Sequence, residues 1–179
     1  DHIEIGKELD LIDIEKSSEI TGARFFYLKN EAVLIQFGII QLVLETLTNE
    51  DIIAELAKKV GNSSENIFTP MIVPMMVKPT VMKKMDRLDP IDERYLIPSD
   101  DLVLVGSAEH TLGRIHMDEI LDYKDLPIRY IGYSSAFRRE AGSYGKDMKG
   151  ILRTHQFDKL EIETFTTKEN GRIEQDLLV

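Results

Sequence analysis

The sequence contains no cysteine. That excludes disulfides, thiolate zinc sites and cysteine nucleophiles, and it accords with a reducing compartment. No apolar run approaches the roughly 20 residues needed to span a bilayer. The opening residues, Asp1-His2-Ile3-Glu4, carry neither the basic nor the apolar segment of a secretory signal. Positive charge is scarce: 22 Lys and Arg face 32 Asp and Glu, for a formal net charge of -10. A surface of that sign repels phosphate backbones, which argues against nonspecific nucleic-acid binding by the whole chain. No repeat, low-complexity tract or Pro/Gly/Ser-rich linker divides the sequence. What remains is an expected single cytoplasmic domain without a membrane segment. Its 179 residues are enough for one substantial core, and its 42% hydrophobic and 30% charged residues are ordinary for a globular protein.

The pattern along the chain predicts an α+β fold. Residues 31–47 read as a helix that is apolar on nearly every face and therefore buried. Residues 49–60 read as an amphipathic helix that Gly61 is placed to end. Residues 71–77 form a short apolar run broken by Pro74, which cannot donate to a sheet ladder and so marks an edge or an interface. Residues 102–105 suggest a short buried strand, and residues 108–117 a helix. Residues 128–140 and 151–165 read as two long strands of an antiparallel hairpin, giving an antiparallel sheet that carries helices.

Strand alternation then groups the polar residues. Arg138 and Glu140 share one face of the first long strand; Arg153, Phe157 and Glu161, spaced by four, share one face of the second. An arginine fork matches phosphate or carboxylate oxygens, a phenylalanine offers a stacking platform, and carboxylates accept from amines and hydroxyls. Cross-strand salt bridges around a core phenylalanine would produce the same pattern. Between residues 137 and 153, five basic residues (Arg138, Arg139, Lys146, Lys149, Arg153) stand against two acidic ones (Glu140, Asp147), a basic island in an acidic chain.

The strings themselves are more specific. Phe137-Arg138-Arg139-Glu140-Ala141-Gly142-Ser143, with Gly145-Lys146-Asp147 and Arg153-Thr154-His155-Gln156-Phe157, resembles motif 2 of class II aminoacyl-tRNA synthetases. The continuation through Lys159 and Glu161 resembles the seryl-tRNA synthetases of that class, of bacterial type. Gly106-Ser107-Ala108-Glu109 is similar to their serine-binding element, and Phe68-Thr69-Pro70 through Pro74 resembles motif 1, the dimer-forming helix-strand unit. On this resemblance residues 1–179 are one partial catalytic domain, with motif 1 at about 31–77, the serine-binding element at 106–109 and motif 2 at about 128–165.

The resemblance implies a serine-tRNA ligase that forms seryl-adenylate from serine and Mg·ATP, then charges tRNA(Ser), as a homodimer through motif 1. It implies that Arg138 bridges the α-phosphate and the serine carboxylate. Glu140 would accept from the adenine amino group, Phe157 would stack on the ring, and Arg139 and Thr154 would line the ATP site. Glu109 would hold the ammonium beside Ser107 and Ala108, and Glu161 would receive the hydroxyl. Lys146 and Lys149 would contact the tRNA acceptor end. His116 and His155 are read as structural, because the family's mechanism needs no side-chain base.

Several features depart from the family pattern. Ser107 stands for the usual threonine, and residues 51–66 look like an insertion that modifies the dimer interface or decorates the surface. The family's coiled-coil tRNA-binding arm and motif 3 find no counterpart, nor do its metal-binding carboxylates, so Mg2+ ligands are expected C-terminal to this chain, with no metal site within it and no zinc. Weak or absent activity is expected of the chain by itself. Two alternatives remain: an amino acid:carrier-protein ligase, whose zinc site uses a cysteine that is missing here, and a non-catalytic regulatory or dimerisation module.

Overall fold

A computed structural model describes residues 1–140 and 150–179. The chain begins with a helix, α1 (His2–Glu8), a short strand β1 (Ile12–Asp13), α2 (Glu15–Thr21) and β2 (Tyr27–Leu28). β1 and β2 pair antiparallel as a small separate ribbon. Two helices follow, α3 (Glu31–Leu47) and α4 (Glu50–Val60). The side chain of Asn49 caps α4 by accepting from the Ile52 N–H at 3.0 Å. Glu50 and Asp51 lie in its first turn and Lys58 and Lys59 in its last, each sign matching the helix dipole. Gly61 ends it at φ 72°, the left-handed conformation a side chain resists.

The run broken by Pro74 becomes two strands rather than one. β3 (Thr69–Ile72) joins a sheet with β7 (Ile128–Phe137) and β8 (Gln156–Phe165), in the order β3-β7-β8. β4 (Met76–Val77) joins another with β5 (Leu96–Ile97) and β6 (Leu102–Leu104), in the order β4-β6-β5. Both β3 and β4 lie at sheet edges, where a proline nearby costs no ladder bond. Between β4 and β5 lies α5 (Pro79–Lys84). β7 and β8 form the expected antiparallel hairpin, whereas β3 runs parallel to β7.

Ile53 of α4, Phe68 and Ile131 of β7 form one core, with Val43, Leu44, Leu47, Leu160 and Ile162 packed around it. Burying side chains of this size contributes about 1.5–3 kcal/mol each. α4 is thus a core element, not a surface decoration: Ile53 and Ala57 are both 1% exposed. The expectation for α3 fails in the other direction. None of its residues is buried, and Leu34, Ile35, Phe37, Ile39 and Leu42 are exposed. One stripe of α3 meets the core, while most of its remaining apolar surface is exposed. Among the described residues no single helix is long and apolar enough to cross a membrane.

Two further expectations are corrected. The segment at 108–117 is helical only as α6 (Glu109–Leu112), followed by turns through Asp118. The hairpin strands are shorter than the 128–140 and 151–165 expected, because the chain leaves the ladder at both inner ends. Glu140 has φ 52° and Gly150 φ 84°, conformations that break strand alternation. The chain's last described element is α7 (Gly171–Leu177).

Candidate active site at the junction of two sheets

The register of β7 on β8 sorts the hairpin into two faces. Leu160 and Ile162 point into the core, so Phe157, Lys159, Glu161 and Glu163 point to the opposite face. Gly132 lies opposite Glu161 on β7. A side chain there would bring its Cβ to 2.4 Å from Leu112 Cδ1, so glycine is what lets α6 settle onto this face. The second sheet is stitched to the end of β7 by the Phe137 N–H, which donates to the Val105 carbonyl at 2.8 Å. Gly106, Ser107, Ala108 and Glu109 are thereby held beside Arg138.

Arg138 is fixed at three points. Its N–H donates to the His155 carbonyl at 3.0 Å, its Nε donates to the Gly106 carbonyl at 3.1 Å, and its guanidinium stands 5.2 Å from the Phe157 ring centre. His155 Nδ1 in turn donates to the Arg138 carbonyl at 2.9 Å, which continues the pairing of the hairpin beyond its ladder. His155 therefore helps to position Arg138. His116 lies elsewhere, bonded to Tyr130 Oη at 3.0 Å and Glu119 at 2.8 Å.

Glu140 accepts from Arg153 Nη1 at 3.0 Å. Although neither residue lies on a strand, the structure brings them together. Arg138, Glu140, Arg153, Thr154 and Phe157 line, with Ile151 and Leu152, a cleft of about 410 Å³. Thr154 is buried, and its hydroxyl donates to the Gln156 carbonyl at 3.0 Å. Arg139 turns away from this cleft and stacks on Tyr95 at 6.0 Å.

Below Arg138 lies a second cluster. Ser107 Oγ donates to Glu161 Oε2 and accepts from Lys159 Nζ at 3.1 Å, and Lys159 pairs with the same Glu161 oxygen. Burial works against ionisation of Glu161, but the bonds from Lys159 and Ser107 outweigh it and hold the carboxyl below the usual range. Glu109 is gripped by Arg87, whose Nη2 and Nε donate to Oε1 at 3.0 and 3.3 Å. Buried His110 accepts at Nδ1 from the Gly106 N–H at 3.1 Å. Burial, reinforced by nearby Arg94, pushes its pKa down to about 4, so the ring is neutral and able to accept at neutral pH.

Sequence reasoning missed Arg87, Arg94, His110 and Glu163. Arg87 and Arg94 sit in irregular segments where no period flags them. Glu163 was within reach, since it continues the alternation of Phe157, Lys159 and Glu161. Lys146 and Lys149 fall outside the described residues. Among the described residues no group of three or more His, Asp or Glu could hold a metal ion.

Residues 94–177 match the family model described as the tRNA synthetase class II core domain (G, H, P, S and T). Over its whole length the chain is 42% identical to the serine-tRNA ligase of Mycolicibacterium vanbaalenii and 41% identical to that of Corynebacterium diphtheriae, and it spans 39% of each. Among solved structures it is similar to the seryl-tRNA synthetase of Pyrococcus horikoshii complexed with ATP, with a TM-score of 0.81 and 33% identity, over 99% of this chain and 36% of that one. It is also similar to the cytoplasmic serine-tRNA ligase of Naegleria fowleri in complex with AMP, with a TM-score of 0.77 and 28% identity, over 97% of this chain and 37% of that one.

Proposed function

The chain belongs to the seryl-tRNA synthetases of class II, and we propose that its site activates serine with ATP and charges tRNA(Ser) in the cytoplasm. A serine carboxylate oxygen attacks the α-phosphorus of ATP, the bond to the bridging oxygen breaks, and pyrophosphate leaves with that electron pair. A ribose hydroxyl of the tRNA's terminal adenosine then attacks the seryl carbonyl, and AMP leaves. Such chemistry depends on alignment and on stabilising charge at phosphorus more than on a general base. Mg2+ on the ATP phosphates would add neutralising charge of its own.

The observation that carries this reading is the placement of Arg138 between two compartments. On one side lies the cleft with Phe157, Glu140 and Thr154, its volume of about 410 Å³ suited to a nucleotide. On the other lies the Ser107–Lys159–Glu161 cluster. From that position one guanidinium neutralises both the α-phosphate and the serine carboxylate and eases their approach. Adenine stacks on Phe157 with its amino group at Glu140, and Thr154 lines the ATP site, whereas Arg139, turned toward Tyr95, takes no part in it. Glu161 with Ser107 receives the serine hydroxyl, and Glu109, beside Ala108, lies on the ammonium side. The serine hydroxyl adds a bond to the Glu161 carboxylate that alanine cannot make, worth about 1.5–3 kcal/mol for a charged acceptor.

Lys146 and Lys149 contact the tRNA acceptor end in this reading. The bare apolar stripe of α3 seats a second copy of the chain. ATP–pyrophosphate exchange with serine, threonine and alanine tests the proposal. Exchange with serine only, abolished by Arg138→Ala, is expected; equal exchange with alanine, or none with the full-length protein, would refute it.

A further inference from the structure

Three carboxylates converge below Arg138, and only two of them have cations. Glu109 is gripped by Arg87, and Glu161 by Lys159. Glu163, two residues beyond Glu161 and on the same face of β8, has no hydrogen bond or ion pair among the described residues. Its Oε1 lies at the C-terminal end of α6, where a Cβ on Gly113 would be 3.5 Å away. Burial raises its pKa, and the neighbouring charges of Glu109 and Glu161 raise it further. A partly buried anion beside two others is unfavourable unless a cation joins it.

Under the serine-activation reading, on which this inference rests, the substrate brings one cation and one anion. Arg138 takes the anion, and its charge reaches Glu161, whereas the groups acting on Glu163 are Glu109 and Glu161. With the carboxylate at Arg138 and the hydroxyl at Ser107 and Glu161, the ammonium is left to the carboxylate without a cation of its own. We propose that Glu163 holds the substrate ammonium together with Glu109 and supplies the negative charge that Arg87 and Lys159 leave unbalanced. Glu163 is then a substrate-binding residue that selects amino acids over hydroxy acids of the same shape.

The test uses two ligands and equilibrium titration of the full-length protein. One is the sulfamoyl analogue of seryl-adenylate; the other is the same molecule with a hydroxyl in place of the ammonium. Glu163→Gln is expected to weaken the first by about tenfold to hundredfold, the range of a charge-assisted bond. Binding of the hydroxyl analogue and of ATP should be unchanged, which also reports that the variant is folded. Equal weakening of both analogues, or no weakening of either, would overturn the assignment. If the wild-type protein binds ATP but neither analogue, the serine-activation reading itself fails, and this assignment with it.

Discussion

The pair formed by Arg129 and Glu174 offers a prediction whose size follows from geometry. The Arg129 side chain is 0% exposed and that of Glu174 4%. Two parallel bonds join them, Nε to Oε2 at 2.8 Å and Nη2 to Oε1 at 2.7 Å. Arg129 also donates to the Asn66 carbonyl and, at 3.4 Å, to the Ser64 carbonyl, and Asn62 donates to Glu174 at 2.6 Å. Glu174→Ala would strand a buried guanidinium and should cost about 3–5 kcal/mol. At roughly 2–4 °C per kcal/mol for a domain of this size, the melting temperature falls on the order of 10 °C. Removing both charges in Arg129→Met with Glu174→Leu should recover most of the loss, since the Met stem can pack where the arginine now stands over Phe68 at 5.8 Å. Urea denaturation followed by circular dichroism measures each variant, and the comparison requires an unchanged dependence on denaturant. Burial raises the Glu174 pKa, but the bonds from Arg129 and Asn62 outweigh it and the net direction is down. This contribution is therefore present above the unfolded carboxylate's range and is lost as pH falls through the folded value. A cost under about 1 kcal/mol for Glu174→Ala, or a double variant no more stable than the single, would refute the reasoning.

Three further outcomes are expected. Phe157→Ala should weaken ATP binding by about 1–3 kcal/mol, the worth of base–aromatic stacking, while Phe157→Tyr retains most of it in the same titration. His110, with its pKa at about 4, binds fewer protons folded than unfolded. Stability should thus decline as pH falls from about 6.5 toward 4, by roughly 3 kcal/mol in total, and His110→Asn should flatten that slope in melts across the range. Leu34→Glu combined with Leu42→Glu, on the bare stripe of α3, should weaken self-association by about 100-fold without lowering the monomer's melting temperature, as read by sedimentation.

The elements most legible in the sequence were those governed by local rules. The helix at 31–47 matches α3 at both ends, and that at 49–60 matches α4 to within one residue, with Gly61 ending it. What local rules could not deliver was the consequence of tertiary contact. An apolar helix surface predicts burial but not by which chain, so α3 was assigned to the core although half its surface is bare. The hairpin strands were drawn too long because Arg138, Glu140 and Arg153 have no composition that forbids a strand. The regular ladder ends at Phe137 and Gln156, and the positive φ of Glu140 and Gly150 breaks the alternation beyond it. Within the site, Arg138, Glu140 and Phe157 were legible because each sits in a short recognisable string, Phe137-Arg138-Arg139-Glu140 and Arg153-Thr154-His155-Gln156-Phe157. Arg87 was not, because its grip on Glu109 spans 22 residues of irregular chain.

The pairing of β7 with β8 places Leu160 and Ile162 on the core side and Phe157, Lys159 and Glu161, the residues proposed to meet the substrate, on the other. Inserting or deleting one residue midway along that strand would exchange the two roles, turning Leu160 and Ile162 outward and driving Lys159 and Glu161 into the packed side. Folding and substrate recognition are therefore encoded in one frame, and no drift of that frame can damage one while sparing the other. Length changes within the paired strands are thus the ones this architecture tolerates least.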